Sequence, residues 1–262
     1  MKKYYFILLS LLLINGCSKN LVNWYSGNLD EALIAADNKI IMIDFYTDWW
    51  YACSLLDANT FIDENVSKYL NQNFINLKIN AESEYGKTLF SDYNGTGYPL
   101  LIFLDPKKNE LERFYGFLEP KPFLQKLMDI KNGDNTFPVL QAQYESGDNS
   151  AETMSILASK YAERGNDSVA TLLYQNVILS RNVSSKMFFE AKYFISSQQL
   201  KDDKTSELEN YINTYPDSPF LKDAVNKLIR YYQTKELTDN EISYFIKYIE
   251  IFSDDPWFLN QF

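Results

Sequence analysis

Histidine is absent from the 262 residues, and cysteine occurs only twice, at Cys17 and Cys53. The missing imidazole excludes Ser-His-Asp and Cys-His catalysis, histidine-ligated zinc or iron, and histidine proton relays. Two thiols without an imidazole cannot complete a structural zinc site. The nine glycines form neither a Gly-x-Gly-x-x-Gly fingerprint nor a phosphate-binding loop. No aspartate-rich loop has EF-hand spacing. The sequence therefore predicts no cofactor and no metal. Positive charge is also in deficit: 25 Lys+Arg against 35 Asp+Glu give a net charge of −10, with no basic cluster. Nucleic acid is not an expected partner. The acids read as scattered over solvated helix faces, and nothing selects two of them for acid–base work.

Hydrophobic residues make up 46% of the chain, enough to build a core in one large domain or two modest ones. The first segment reads as an address. Lys2 and Lys3 precede an almost unbroken apolar run from Tyr4 to Ile14, too short to span a bilayer comfortably. It ends in Ile14-Asn15-Gly16-Cys17, which resembles a bacterial lipobox. The alternative is an ordinary signal peptide with a coincidental cysteine; the small residue directly before the only cysteine of the region favours the lipobox. This predicts a lipoprotein signal peptide over 1–16, then a lipidated Cys17 and tether over 17–23. Acyl chains on Cys17 would hold an acidic body at a membrane that its charge would not attract. The soluble part would then lie in the bacterial cell envelope, facing the periplasm. Cys53 would be the one thiol left, so no intramolecular disulfide is expected.

Strand-like and helix-like segments alternate over 24–129. Leu29 to Ala36 is a short amphipathic helix after Ser26-Gly27-Asn28. Ile40 to Tyr46 is a continuous apolar run holding one acid, Asp44, as in a strand buried on both faces. A helical stretch follows from about Cys53, interrupted near Asn59-Thr60 and resuming from Asp63 to Asn71. Phe74 to Ile79 reads as a strand, Tyr85 to Tyr93 as a helix, and Leu100 to Leu104 with Leu111 to Tyr115 as a hairpin. Pro122 to Ile130 closes as a helix. The predicted fold class is an α/β domain followed by an all-α one, divided at Asn132-Gly133-Asp134-Asn135.

Residues 132–262 carry helical periodicity, with six or so helices between polar breaks. Leu157, Ala158, Tyr161, Gly165, Ala170, Tyr174 and Val177 resemble one tetratricopeptide unit, in which small residues let two antiparallel helices approach. The unit's terminal proline is missing, with Asn182 in its place. Tyr215-Pro216-Asp217-Ser218-Pro219 and Asp254-Asp255-Pro256 look like ends of similar helix pairs at irregular spacing. A plain helical bundle is the alternative, and either would offer a surface for partners.

Residues 40–53 resemble the thioredoxin superfamily, closest to the soluble domain of bacterial transmembrane thiol:disulfide interchange reductases. The likeness runs through Met42-Ile43-Asp44-Phe45-Tyr46-Thr47-Asp48-Trp49-Trp50-Tyr51-Ala52-Cys53, the kinked helix at Asn59-Thr60-Phe61, Gly95-Thr96-Gly97-Tyr98-Pro99-Leu100 and Gly116. It implies a thioredoxin-like domain over 24–131. The departure is central. Where the family has Trp-Cys-x-x-Cys, this chain has Trp49-Trp50-Tyr51-Ala52-Cys53, so the nucleophilic cysteine is Trp50 and only the resolving position survives. A dithiol cycle needs both sulfurs. Asp44 stands where the family places a buried proton acceptor; it is either that or a remnant acid. Cys53 is either a reactive monothiol or a small buried apolar residue. The resemblance makes Tyr98-Pro99 a cis bond whose backbone pairs with an extended peptide, with Trp49, Trp50 and Tyr51 gathered around it. Those rings form either an exposed docking patch or part of an aromatic core.

Two functions compete. One is a binding or scaffolding module for an extended peptide or protein partner; the other is a thiol-disulfide oxidoreductase working through Cys53 alone. The lipobox yields a direct test. Lipid should be found on Cys17 by mass spectrometry of the mature N-terminus, and Cys17→Ser should lose it; an unacylated mature N-terminus at another residue rejects the reading.

Overall fold

In a computed structural model, residues 21–249, 251 and 252 are described. Residues 1–16, where a signal peptide is expected, Cys17 and Asp254-Asp255-Pro256 lie outside them.

Helix α1 (Leu29–Ala35) opens on a capping box, in which Asn28 accepts from the Glu31 amide and Glu31 reaches back to the Asn28 amide. Strand β1 (Ile40–Tyr46) follows, buried as its apolar run predicts. Helix α2 (Tyr51–Leu55) passes into a π-helical turn, Leu56–Thr60. The turn is held by Phe61 N to Leu56 O at 2.9 Å and by the Thr60 hydroxyl donating to Leu118 O at 2.6 Å. It accounts for the predicted interruption: the extra residue breaks helical register and turns Leu56 and Phe61 into the core. Helix α3 (Glu64–Asn73) is capped by Asp63. Strand β2 (Phe74–Asn80), helix α4 (Glu84–Asp92), strands β3 (Leu100–Leu104) and β4 (Glu110–Tyr115), and helix α5 (Pro120–Asn132) complete the α/β part.

The sheet order is β2-β1-β3-β4, with β1 parallel to β2 and antiparallel to β3. Side chains alternate across it. Ile41, Ile43 and Phe45 pack with Leu29, Ala32 and Leu89 on the α1/α4 face. Ile40 and Met42 pack with Val66, Leu70, Phe123 and Leu127 on the α3/α5 face. Gly116 takes φ +84, where a side chain is strained, and its amide donates to Pro99 O at 2.9 Å.

Beyond the turn at Gly133 the described residues are helical: α6 (Phe137–Glu145), α7 (Ala151–Glu163), α8 (Asp167–Leu179), α9 (Ser185–Gln198), α10 (Ser206–Thr214), α11 (Leu221–Thr234) and α12 (Thr238–Ile249). A break at Ser180–Ser184, where Ser184 caps α9, separates helices that the predicted polar breaks do not divide. Leu157 and Ala158 of α7 bury against Leu173, Tyr174 and Val177 of α8. A second core joins α10, α11 and α12. Among the described residues no helix is long and apolar enough to cross a membrane.

The two parts meet at the sheet's edge strand. Here the expectation that the acids are solvated fails. Glu112 and Arg113 of β4 are buried. Glu112 pairs with Lys160 of α7, while Arg113 pairs with Glu110 and donates to Tyr93 O at 2.7 Å. Arg164 reaches Glu110 at 2.8 Å and lies 4.0 Å over the Phe137 ring. Arg113 and the Tyr115 hydroxyl both lie 3.4 Å from Glu163 O, so sheet donors meet a carbonyl at the end of α7. Burial pushes Glu163 up to about 7, opposed by Lys160, Arg164 and Lys126. Glu112→Ala would leave the Lys160 ammonium desolvated and unpaired, at a cost of about 3 kcal/mol. Chemical denaturation should show that loss, and Glu112→Leu with Lys160→Met should recover most of it. Equal stability of the single variant and the parent would mean that the pair does not join the two parts.

Candidate functional site

Asp44 is the centre from which the site is built. It lies on the α3/α5 side of β1, 1% exposed, and the parallel register sets it opposite Lys78 of β2. Lys78 Nζ lies 3.4 Å from Asp44 Oδ2 and also pairs with Asp57 of the π-helical turn. Three rings surround the ammonium, with centroids at 4.8 Å for Tyr46, 5.2 Å for Trp24 and 5.5 Å for Phe61. Burial drives the Asp44 carboxyl up to about 6, against the pull of Lys78. Burial opposes the charge on Lys78 too, but Asp44 and Asp57 together outweigh it and raise its pKa. Asp44 Oδ1 is buried without a hydrogen-bond partner.

Cys53 lies near this carboxylate, 3% exposed. Burial pushes its thiol up, partly countered by the Thr47 backbone, and the Asp44 charge raises it further. This is the reverse of the environment that makes a thiolate. Among the described residues Cys53 is the one cysteine, and it is free.

The aromatic residues before and after the start of α2 face outward. Trp50 is the N-cap of α2 and makes no side-chain cap; its carbonyl accepts from Cys53 N at 3.0 Å. Trp49 is 63% exposed and Tyr51 74%. The Trp49 indole donates to Glu82 at 2.9 Å and meets the Trp50 ring edge-on at 5.5 Å, so Trp49 is held in place while exposed. Asn80 donates to Asp48 at 3.1 Å, tying the same loop to the end of β2.

The Tyr98-Pro99 bond is cis, and Pro99 is buried. Tyr98 is placed differently from the tryptophans. Its ring packs 4.9 Å from Phe90 and joins the α1/α4-side core, so it supports the loop from below. Lys78 and Asp57 were not among the candidates from sequence. A lone lysine in the apolar run Phe74 to Ile79 was the available signal, but its pairing depends on a register between strands that are not adjacent in sequence. Among the described residues no group of three or more Cys, Asp and Glu side chains is arranged to hold a metal ion.

A thioredoxin-like family model matches residues 22–106. Those residues form a thioredoxin-like domain. Over 104 residues the chain is 33% identical to the thiol:disulfide interchange protein DsbD of Yersinia pestis (strain Pestoides F), covering 38% of this chain and 18% of that protein. It is 30% identical over 107 residues to DsbD of Pasteurella multocida (strain Pm70), covering 40% and 19%. The chain thus spans under a fifth of the length of these relatives. Among solved structures, a thioredoxin from Thermus thermophilus shares 24% identity at a TM-score of 0.40, covering 43% of this chain and 89% of that one. The DsbD C-terminal domain of Neisseria meningitidis in its reduced form shares 23% at 0.34, covering 38% and 88%.

In the thioredoxin-like domain the raised Asp44 pKa sets a pH dependence. Because the folded state binds this proton more tightly than the unfolded chain, its stabilising contribution is full below about pH 3.8. It is lost as pH rises through about 6. The stability of the parent relative to Asp44→Asn should fall by roughly 1–3 kcal/mol between pH 4 and 7. Denaturant titrations across that range check it; a constant difference would mean that Asp44 titrates as an ordinary carboxylate.

Proposed function

We propose that this chain is a lipid-anchored protein of the bacterial cell envelope whose thioredoxin-like domain docks an extended peptide of a partner without cycling a dithiol. The observation that carries this reading is the contrast at the start of α2. The exposed positions are Trp49, Trp50 and Tyr51, while the thiol, Cys53, is the one cysteine among the described residues, buried and held protonated. Pinned, solvent-facing rings supply contact area at little entropic cost, as peptide grooves require. The Tyr98-Pro99 loop would offer its backbone to the same peptide. The helical part, with its tetratricopeptide-like pair α7 and α8, extends the surface available to a partner. The likeness to DsbD, a thiol:disulfide interchange protein, and the lipobox-like Ile14-Asn15-Gly16-Cys17 both support an envelope location.

The raised carboxyl of Asp44 beneath Cys53 is the one observation that favours the competing monothiol oxidoreductase. Insulin reduction driven by dithiothreitol separates the two. The parent should show no turnover, and Trp50→Cys, which places a second thiol one turn before Cys53, should gain some. Turnover by the parent that Cys53→Ser abolishes would replace the docking reading with the enzyme. On the docking reading, an unstructured peptide ligand should quench the fluorescence of the parent and bind at least tenfold more weakly to the Trp49→Ala, Trp50→Ala variant. Equal affinity would remove these rings from the site.

A further inference from the structure

The exposed rings at the start of α2 stand beside two carboxylates that have no cation. Strands β1 and β2 run parallel, so the loop after β1 (47–50) and the loop after β2 (81–83) open at the same end of the sheet. One side chain ties these loops together. The Asn80 carboxamide donates to Asp48 Oδ2 at 3.1 Å and accepts from the Glu82 amide at 2.8 Å. Glu82 Oε1 in turn accepts from the Trp49 indole at 2.9 Å. Two exposed acids are thereby fixed next to Trp49, each with its second carboxylate oxygen lacking a donor among the described residues.

Neither acid has a duty at a helix end. Ser83 caps α4 and Glu84 occupies its first turn, while Asp48 makes no bond to the opening amides of α2, whose N-cap is Trp50. The cations of the same elements do not neutralise them. Lys78 of β2 is taken by Asp44 and Asp57, and Lys87 of α4 forms an ion pair with neither acid. Holding two like charges at the two ends of one carboxamide, in a chain of net charge −10, is unfavourable until a positive group joins them.

The rings select the kind of cation. Trp49 is 63% exposed and Trp50 38%, and the two indoles meet edge-on at 84°, so they form a corner rather than a stack. An indole face attracts a cation. A guanidinium suits this corner best, because it lies flat on a ring while its planar fork of N–H groups reaches carboxylate oxygens; a lysine ammonium is a compact, strongly hydrated point charge.

We infer that the docking patch selects a peptide carrying an arginine, whose guanidinium lies on the Trp49–Trp50 corner and pairs with the Asp48 and Glu82 carboxylates. The inference rests on the docking reading above and adds to it the chemistry of the occupant: a basic segment rather than an acidic or a purely apolar one.

The test uses the full chain and four peptides, acetyl-Gly-Leu-X-Leu-Gly-amide with arginine, citrulline, lysine or glutamate at X, their ends blocked so that only X carries charge. Calorimetry gives affinity, and the Trp49 indole N–H resonance gives location. The arginine peptide should bind at least about tenfold more tightly than the citrulline peptide, which has the same shape without the charge, and added salt should shrink that ratio. Lysine should be at least about threefold weaker than arginine, and glutamate weakest of all. Glu82→Gln keeps an acceptor for the Trp49 indole but removes the charge; combined with Asp48→Asn, it should bring the arginine peptide to the citrulline affinity. Three results would overturn the inference while leaving docking itself in place: equal affinity for arginine and citrulline, an arginine preference that survives the double variant, or a lysine peptide as tight as arginine. Failure of all four peptides to bind, or undiminished binding to the Trp49→Ala, Trp50→Ala variant, would remove the docking reading and this inference with it.

Discussion

A carboxylate inside an apolar strand cannot stay without a counter-charge, and the α/β part is arranged around that requirement at Asp44. Its partner, Lys78, comes from the neighbouring strand and fixes the β1/β2 register, because a slip of one residue would turn Lys78 to the opposite face. Lys78 in turn brings in Asp57, which only the π-helical turn places within reach. Tyr46, Trp24 and Phe61 close over the ammonium, and Trp24 also forms a bridge with Asn76, so the segment before α1 is part of the same construction. One buried charge thereby constrains a strand register, a helix defect and the course of the N-terminal segment. Such a pair is weak evidence for stability, since each ion has lost its water; its contribution is to specify one arrangement.

The same arrangement decides what Cys53 can do. The π turn follows directly on α2, so the start of α2 is fixed over the charged pair, with Cys53 facing inward and Trp50 and Tyr51 outward. Burial and the neighbouring carboxylate hold the proton on sulfur. A thiol in that state can accept a role as a resolving partner, but it has no low-pKa cysteine beside it to resolve. The position that would carry one offers an indole ring to solvent.

The readable features in sequence were the local ones. Continuous apolar runs identified β1 and β3, because a strand buried on both faces leaves no periodicity to disguise. Asp44 stood out as the one acid in such a run. Lys78 did not, because its significance lies in a pairing between strands separated by α2 and α3. Glu110-Leu111-Glu112-Arg113 alternates as a solvated edge strand would, and nothing local reveals that Lys160 and Arg164 arrive from a helix some fifty residues later, a separation like that of Arg113 and Glu163. The break at Ser180–Ser184 has neither glycine nor proline; its signal is a serine cap, which is weak in a serine-rich stretch.

The edge of the sheet explains why the two parts cannot be read as separate machines. An exposed β4 would present unpaired backbone groups as a template for another strand, and covering it with a helix is one way to prevent that. Here the cover is α6 and α7, sealed by charges that would be expensive if exposed to neither water nor each other. Tyr115 sits at the junction of the two parts. Its ring lies beside Gly97, its hydroxyl is 3.5 Å from Thr96 in the loop before cis-Pro99, and the same hydroxyl reaches Glu163 O at the end of α7. The loop before cis-Pro99 and the C-terminal end of α7 thus share a side chain. A displacement of α7 along β4 has to move Tyr115 or break its bond, so the helical part sets the position of one wall of the proposed docking site as well as adding a surface beside it.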